Sequence, residues 1–179
     1  MDLMLDLETL GTKPDTVILT LGAVKFNPYT TDMPGPGFYV RPDVDEQLAR
    51  GRSYDEDTLL WWNQQDPVVR EEALGTEGRI SVEQMMADLN RFLVGVDNIW
   101  TQGPVFDISI LENIYSQWGW PCPWHHWRIR DSRTLFGVHG DPRVKNKEGL
   151  HNALEDCVSQ AQGVQLTYAR LGLEPRFSK

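Results

Sequence analysis

Apolar and polar positions along the chain change period several times, and each change marks an element. Leu3-Met4-Leu5-Asp6-Leu7 is almost wholly apolar, which predicts a strand covered on both faces at the centre of a sheet. Gly11-Thr12-Lys13-Pro14-Asp15 is turn chemistry, and the β-rich run Val17 to Phe26 behind it completes a hairpin. Gly35-Pro36-Gly37 introduces a short third strand, Phe38-Tyr39-Val40, ended by Arg41-Pro42. Helical spacing follows over Asp55 to Gln65 and over Ser81 to Val94, with Ser81 placed as an N-cap. Asn98 to Gln102 predicts a fourth strand. Pro104 sits at a helix's first position, with Ile108, Leu111, Tyr115 and Trp118 continuing one stripe, so a helix spans Pro104 to Trp118. Ile129 marks a short fifth strand. A last helix runs from Asn152 to Leu171 with Ala153, Leu154, Cys157, Val158 and Ala161 on its inner face. A hairpin and third strand, then helices alternating with single strands, indicate an α/β chain whose mixed sheet carries helices on both faces.

The 179 residues suit one domain, taken as 1–179, and no apolar run reaches the ~20 residues that span a bilayer. Hydrophobic and charged fractions near globular averages exclude a disordered chain. Met1 leads straight into Asp2-Leu3 with no basic segment, and two cysteines make no disulfide framework; both point to the cytoplasm, with no membrane partner. The net charge of −9 excludes binding of nucleic acid by bulk positive charge. A phosphate-bearing partner has to be held locally, by a basic loop, backbone amides or metal.

Three groups of polar residues sit where apolar ones are expected. Asp6 and Glu8, two apart on a strand, share a face and repel unless a cation or proton lies between them; the plain alternative is a strand end fraying into solvent. Asp107 precedes Leu111, Ile114, Tyr115 and Trp118 on the inward stripe of its helix, although a first-turn aspartate is also stabilising by itself. Asn152 and Glu155 have the layout of a capping box, which leaves His151 just outside the helix and Asp156 in its first turns. A surface histidine on the cap and a solvated acid are the plain readings of these two. Taken together, four carboxylates and a histidine at element ends fit a two-metal phosphoryl-transfer site. Hard oxygen ligands suit Mg²⁺ or Mn²⁺, and a neutral imidazole can take a proton from water.

Asp6-Leu7-Glu8-Thr9-Leu10-Gly11, Gly103-Pro104-Val105-Phe106-Asp107 and His151-x-Ala153-x-x-Asp156 resemble, in order, the three exonuclease motifs of the DnaQ-like superfamily, in the branch called DEDDh. The resemblance implies an RNase H-like fold, with a five-stranded mixed sheet whose second strand is antiparallel. It implies hydrolysis of nucleotides from a 3′ end with two Mg²⁺ or Mn²⁺ ions. Asp6 would then bridge the metals, Glu8 and Asp156 would bind the metal that activates water, Asp107 would support the second metal, and His151 would be the general base. Thr9 and Leu10 would meet the terminal nucleotide through backbone and apolar contacts, with Phe106 near it. The pattern departs at Gln102-Gly103, where many members carry an asparagine. Thr58-Leu59-Leu60-Trp61-Trp62 is similar to a segment of the subgroup holding phage DexA-type exonucleases and RNase AS. One tryptophan of the pair is expected at a helix–sheet contact and the other, taken as Trp62, in the nucleotide cleft.

Arg143-Val144-Lys145-Asn146-Lys147 is the one dense basic stretch, either a solvated loop or a strap for phosphate through Lys145 and Lys147. Trp118 to Trp127 is read as a proline-stiffened loop that seals the sheet edge or forms a homodimer contact; Cys122, His125 and His126 lack clean zinc spacing. Asp131 is expected to cap a following helix, outside the catalytic set. The leading function is 3′-to-5′ exonuclease on single-stranded DNA or RNA, DNA slightly favoured. An exoribonuclease, a phosphohydrolase of very short oligonucleotides, and a binding subunit that keeps the fold are the alternatives.

Overall fold

The computed structural model describes residues 1–143 and 152–175. The strands are β1 (Asp2–Thr9), β2 (Ile18–Phe26), β3 (Gly37–Val40), β4 (Ile99–Thr101) and β5 (Ile129–Asp131), in the spatial order β3-β2-β1-β4-β5. β2 is antiparallel to both β1 and β3, whereas β4 is parallel to β1 and β5 to β4. This is the RNase H-like arrangement expected from the sequence. Helices α1 (Val44–Ala49), α2 (Glu56–Asn63), α3 (Pro67–Leu74) and α4 (Val82–Phe92) lie between β3 and β4. Helices α5 (Pro104–Gln117), α6 (Ser132–His139) and α7 (Ala153–Leu171) follow. Among the described residues no helix is long and apolar enough to cross a membrane.

The pleat of β1 sorts its side chains into two cores. Leu3, Leu5 and Leu7 join Met85, Met86 and Leu89 of α4 and Leu111 and Ile114 of α5, while Met4 joins Trp100, Phe136 of α6 and Cys157, Ala161 and Val164 of α7. Asp6 and Glu8 continue the Met4 side, so they face α7. The small residues Ala153, Cys157 and Ala161 let α7 lie close on the sheet. Contact is tightest at Gly22 of β2, where an added Cβ would stand 2.3 Å from the Ala153 carbonyl carbon and 2.5 Å from the Leu154 nitrogen. Gly22 is also the β2 residue paired with Asp6.

Elements that the apolar pattern misses are held by polar groups. α1 is capped by Asp43 and buries Gln47, whose amide accepts from Ile18 N–H at 2.8 Å and donates to Ile18 C=O at 2.9 Å, as a neighbouring strand would. α3 starts at Asp66-Pro67 and buries Ala73. Arg79 donates to the carbonyls of Leu19, Pro42, Ala73 and Gly75, tying the end of α3 to the sheet. Arg52 joins the carbonyls of Pro14 and Thr16 to Asn113 and Gln117 of α5. In the tryptophan-rich segment, Trp118 and Trp124 are buried and bond Glu46 and Glu112, while Trp127 is exposed and stacks on His125. Asp131 caps α6 by accepting from Arg133 N–H.

Gly22→Ala is expected to cost about 1–3 kcal/mol, because the methyl group meets backbone that no rotamer change can move. A denaturant midpoint equal to that of the unsubstituted chain would show that α7 is not seated this closely.

Candidate active site

β1 delivers Asp6 and Glu8 towards α7, and its register with β2 shifts between Glu8 and Thr9, where pairing gives way to the turn. Asn152 caps α7 by accepting from the N–H groups of Leu154 and Glu155 at 3.1 Å, which fixes the first turn and with it Asp156. Asp6, Glu8 and Asp156 each offer one carboxylate oxygen, and these three lie within 4.8 Å of one another. Asp107 comes from the other side of β1. Leu3 gives its N–H to Asn98 just before β4, so Leu7, of the same parity, points its N–H to that side too. β4 has ended by then, and Asp107 of α5 takes the Leu7 N–H instead, at 3.3 Å. Gly103, at φ +136, makes the turn from β4 into α5 that a side chain would strain.

Burial holds the Asp6 carboxyl well above its ordinary range, with Asp107 and Glu8 adding repulsion and the amide of Gln160 opposing them. Burial, then Asp156 and Asp107, push Glu8 up to about 8. Burial raises Asp107 as well, held back by the Leu7 N–H. Such a cluster favours anything positive between its members. Three hard carboxylate oxygens this close fit a divalent cation such as Mg²⁺ or Mn²⁺. The cysteine and histidines of the tryptophan-rich segment form no comparable group among the described residues.

A cleft of about 320 Å³ opens on the acids, lined by Asp6, Leu7, Asp107, Asp156 and Gln160 together with Gln102, Phe106, Arg133 and Arg143. Arg133 donates to the Gln102 carbonyl, and Arg143 pairs with Asp141 while lying over the Phe136 ring. Neither Arg133 nor Gln160 was anticipated. Gln160, one turn beyond Asp156 on α7, was legible in principle from that spacing. A larger cleft, about 470 Å³, lies beside the end of β1 between Gly11–Lys13 and Ser53–Asp57.

Phe106, beside Asp107, lines the cleft that opens on the acids. Leu10 is buried, gives its N–H to Val17 and takes the Asp55 N–H on its carbonyl, so its main-chain groups are engaged within the chain. Thr9 is buried too, its hydroxyl bonded to the Gly11 carbonyl. Gly11 to Lys13, rather than Thr9 and Leu10, face open space there. The contact expected between Trp62 and a base needs correction. Trp62 is 1% exposed and its indole N–H donates to the Thr9 carbonyl, so no face is open for stacking; Trp61, 39% exposed, is the outer member of the pair. His151, Lys145 and Lys147 lie outside the described residues.

Residues 1–168 match the family described as the 3′-5′ exoribonuclease Rv2179c-like domain. The chain belongs to this family. An exodeoxyribonuclease of Enterobacteria phage T4 is 23% identical over 150 residues, 76% of this chain and 59% of the phage protein, so the match spans under two thirds of that relative. The fold is shared with Exonuclease X, solved in complex with 5′ overhanging duplex DNA (TM-score 0.62, 14% identity, 97% of this chain and 95% of that one). It is shared too with the nuclease domain of 3′hExo, a DEDDh family member bound to rAMP (TM-score 0.60, 13% identity, 99% and 95%). The chain thus carries a domain of this exonuclease family, on a fold shared with other exonucleases.

The raised carboxyls make the exonuclease domain pH-sensitive in EDTA. The folded chain binds the Glu8 proton more tightly than the unfolded chain. The stability linked to it is therefore complete below the ordinary value of 4.5 and is lost as pH rises towards about 8. Calorimetric melting temperatures in EDTA should fall across that window, and Mn²⁺ or Glu8→Gln should flatten the fall. A slope unchanged by Glu8→Gln would show that Glu8 is not held this way.

Proposed function

We propose that this protein, with residues 1–179 as one exonuclease domain, removes nucleotides from the 3′ end of single-stranded nucleic acid using two divalent cations, Mg²⁺ or Mn²⁺. The observation that carries the reading is the convergence of Asp6, Glu8 and Asp156 within 4.8 Å, with Asp107 beside them, in a chain of an exonuclease family. Cations bound there supply Lewis acidity to the phosphodiester and acidity to the attacking water. The chain does the remainder. Asp6, Glu8 and Asp156 hold the cations, and Asp107 supports the second site while bracing β1 through Leu7. His151, placed by its motif, takes the proton of the water. Arg133 and Arg143, which line the same cleft as the acids, would meet the substrate's phosphates. With a net charge of −9 the grip is short, which favours an unpaired end.

The sugar divides two readings. The expectation of activity on both polymers with DNA slightly ahead agrees with the name of the phage relative. An exoribonuclease reading is favoured by the family description, which covers far more of the chain. Matched DNA and RNA oligonucleotides decide between them: RNA degraded about tenfold faster establishes the ribonuclease.

Stepwise release of mononucleotides from a labelled single strand is expected with Mn²⁺ and none with EDTA. Asp6→Ala or Asp156→Ala should lose about a hundredfold or more. A 3′-phosphate should block digestion, and His151→Ala should lose most activity while still binding Mn²⁺. Digestion in EDTA, or efficient cutting of a circular single strand, would overturn the function.

A further inference from the structure

Helix α7 brings two polar side chains to the acids, Asp156 and, one turn later, Gln160. Gln160 is 6% exposed, and its neighbours on the inner stripe of α7, Cys157, Ala161 and Val164, are small or apolar. Its Nε2 donates to Asp6 Oδ1 at 3.1 Å. Its Oε1 is buried with no donor among the described residues, although the side chain lines the catalytic cleft. A glutamine retained for packing alone would be a poor choice, because a half-satisfied buried amide destabilises where an apolar side chain of the same size would not. We propose that Gln160 is a positioning residue for the metal site: its Nε2 orients the Asp6 carboxylate, and its Oε1 is an acceptor for a water on the bound cation.

This role deepens the metal-dependent reading above and rests on it. An amide suits the task better than a cation would. Lysine or arginine at 160 would orient Asp6 but cancel the charge that attracts the divalent ion, whereas a neutral N–H fixes the carboxylate plane and leaves its charge intact. With Oδ1 engaged, Asp6 cannot rotate freely, so the carboxylate is set before the cation arrives. Partners of this kind orient the groups that touch the metal, and their loss commonly costs about ten- to a hundredfold in metal affinity. The register also explains the address. Asp156 and Gln160 are four apart on a helix and so share the face that Gly22 admits to the sheet.

The test is Mn²⁺ binding to the full-length protein without substrate, followed by calorimetry or electron paramagnetic resonance, for Gln160→Met, Asp6→Asn and the double variant. Gln160→Met keeps the volume and removes both polar atoms. It should weaken Mn²⁺ binding by about ten- to a hundredfold and raise the Mn²⁺ needed for half-maximal activity equally. The oligonucleotide KM at saturating Mn²⁺ should stay within about twofold, and the melting transition in EDTA should hold or rise, because the variant removes a half-satisfied buried amide. In the Asp6→Asn background, Gln160→Met should change Mn²⁺ affinity little further, since the partner it orients is already altered. Unchanged affinity in Gln160→Met, or losses that simply add, would overturn the positioning role and leave the exonuclease reading standing. Digestion by the unsubstituted protein in EDTA would instead overturn both.

Discussion

The close seating of α7 on β2 is the constraint from which the site follows. Asp6 and Glu8 are fixed on β1 by the pleat, and Asp156 reaches them only because the first turn of α7 lies almost against the β2 backbone. Gly22 permits that approach by having no side chain. Cys157 reinforces it by donating its thiol to the Gly22 carbonyl at 3.3 Å, one residue after Asp156. A larger residue at 22 or 153 would lift the helix, and the three oxygens would separate before any core contact was lost. Geometry at the site is thus set by backbone spacing rather than by the acids, which on electrostatic grounds alone would move apart.

Gathering those acids stores repulsion in the folded state, and the rest of the chain offsets it without neutralising it. Among the described residues the catalytic carboxylates are answered mainly by neutral donors, the Leu7 N–H on Asp107 and the Gln160 amide on Asp6. The positive side chains that line the cleft, Arg133 and Arg143, bond elsewhere, Arg133 to the Gln102 carbonyl and Arg143 to Asp141 over the Phe136 ring. Buried arginines elsewhere work on carbonyls: Arg52 and Arg79 satisfy loop and helix-end C=O groups around the sheet, and burial lowers the Arg52 pKa to about 10. The molecule therefore separates two uses of polar burial. Around the edge of the sheet, Arg52 and Arg79 pair with carbonyls and strengthen the fold. At the crevice where β1 outruns β4, the carboxyls are gathered with few donors, which raises their pKa and favours a cation between them.

The parts of this plan that rest on period were legible in the sequence. All five strands, and the helices α2, α4, α5 and α7, follow from apolar spacing and cap chemistry, and Asp6 and Glu8 stood out because acids interrupt an apolar strand. α1 and α3 escaped because what they bury is polar or small: Gln47, paired to Ile18, and Ala73. The tryptophan pair shows another limit. Trp61 and Trp62 are adjacent, so about 100° of helix rotation separates them, and only the orientation of α2 decides which enters the core. The partners of Thr9 and Leu10, Val17, Asp55 and Gly11, become visible for a related reason only once the chain has folded back. Gln160 carries no signal by residue type. It gains meaning through its spacing from Asp156 and its bond to a residue 154 positions away.

The mixed charges lining the cleft bear on how a protein of this net charge would handle the anionic polymer of the proposed function. A net charge of −9 repels a long phosphate chain at low ionic strength, yet Arg133 and Arg143 line the same cleft as the carboxylates. On the proposed function such a protein would gain little by tracking the strand and most at its last linkage, where bound cations would offset the acids. Affinity would then depend on the cation in a way that ordinary phosphate contacts do not: ions that served the proposed chemistry would also turn the cleft from repelling its substrate to holding it. Substrate and metal should for that reason bind cooperatively, each neutralising charge that the other would otherwise meet, and the coupling acts equally in both directions. Under the proposed function, preference for an end over an internal site would then be electrostatic as well as steric, because an end brings fewer phosphates into the acidic field than a continuous strand does.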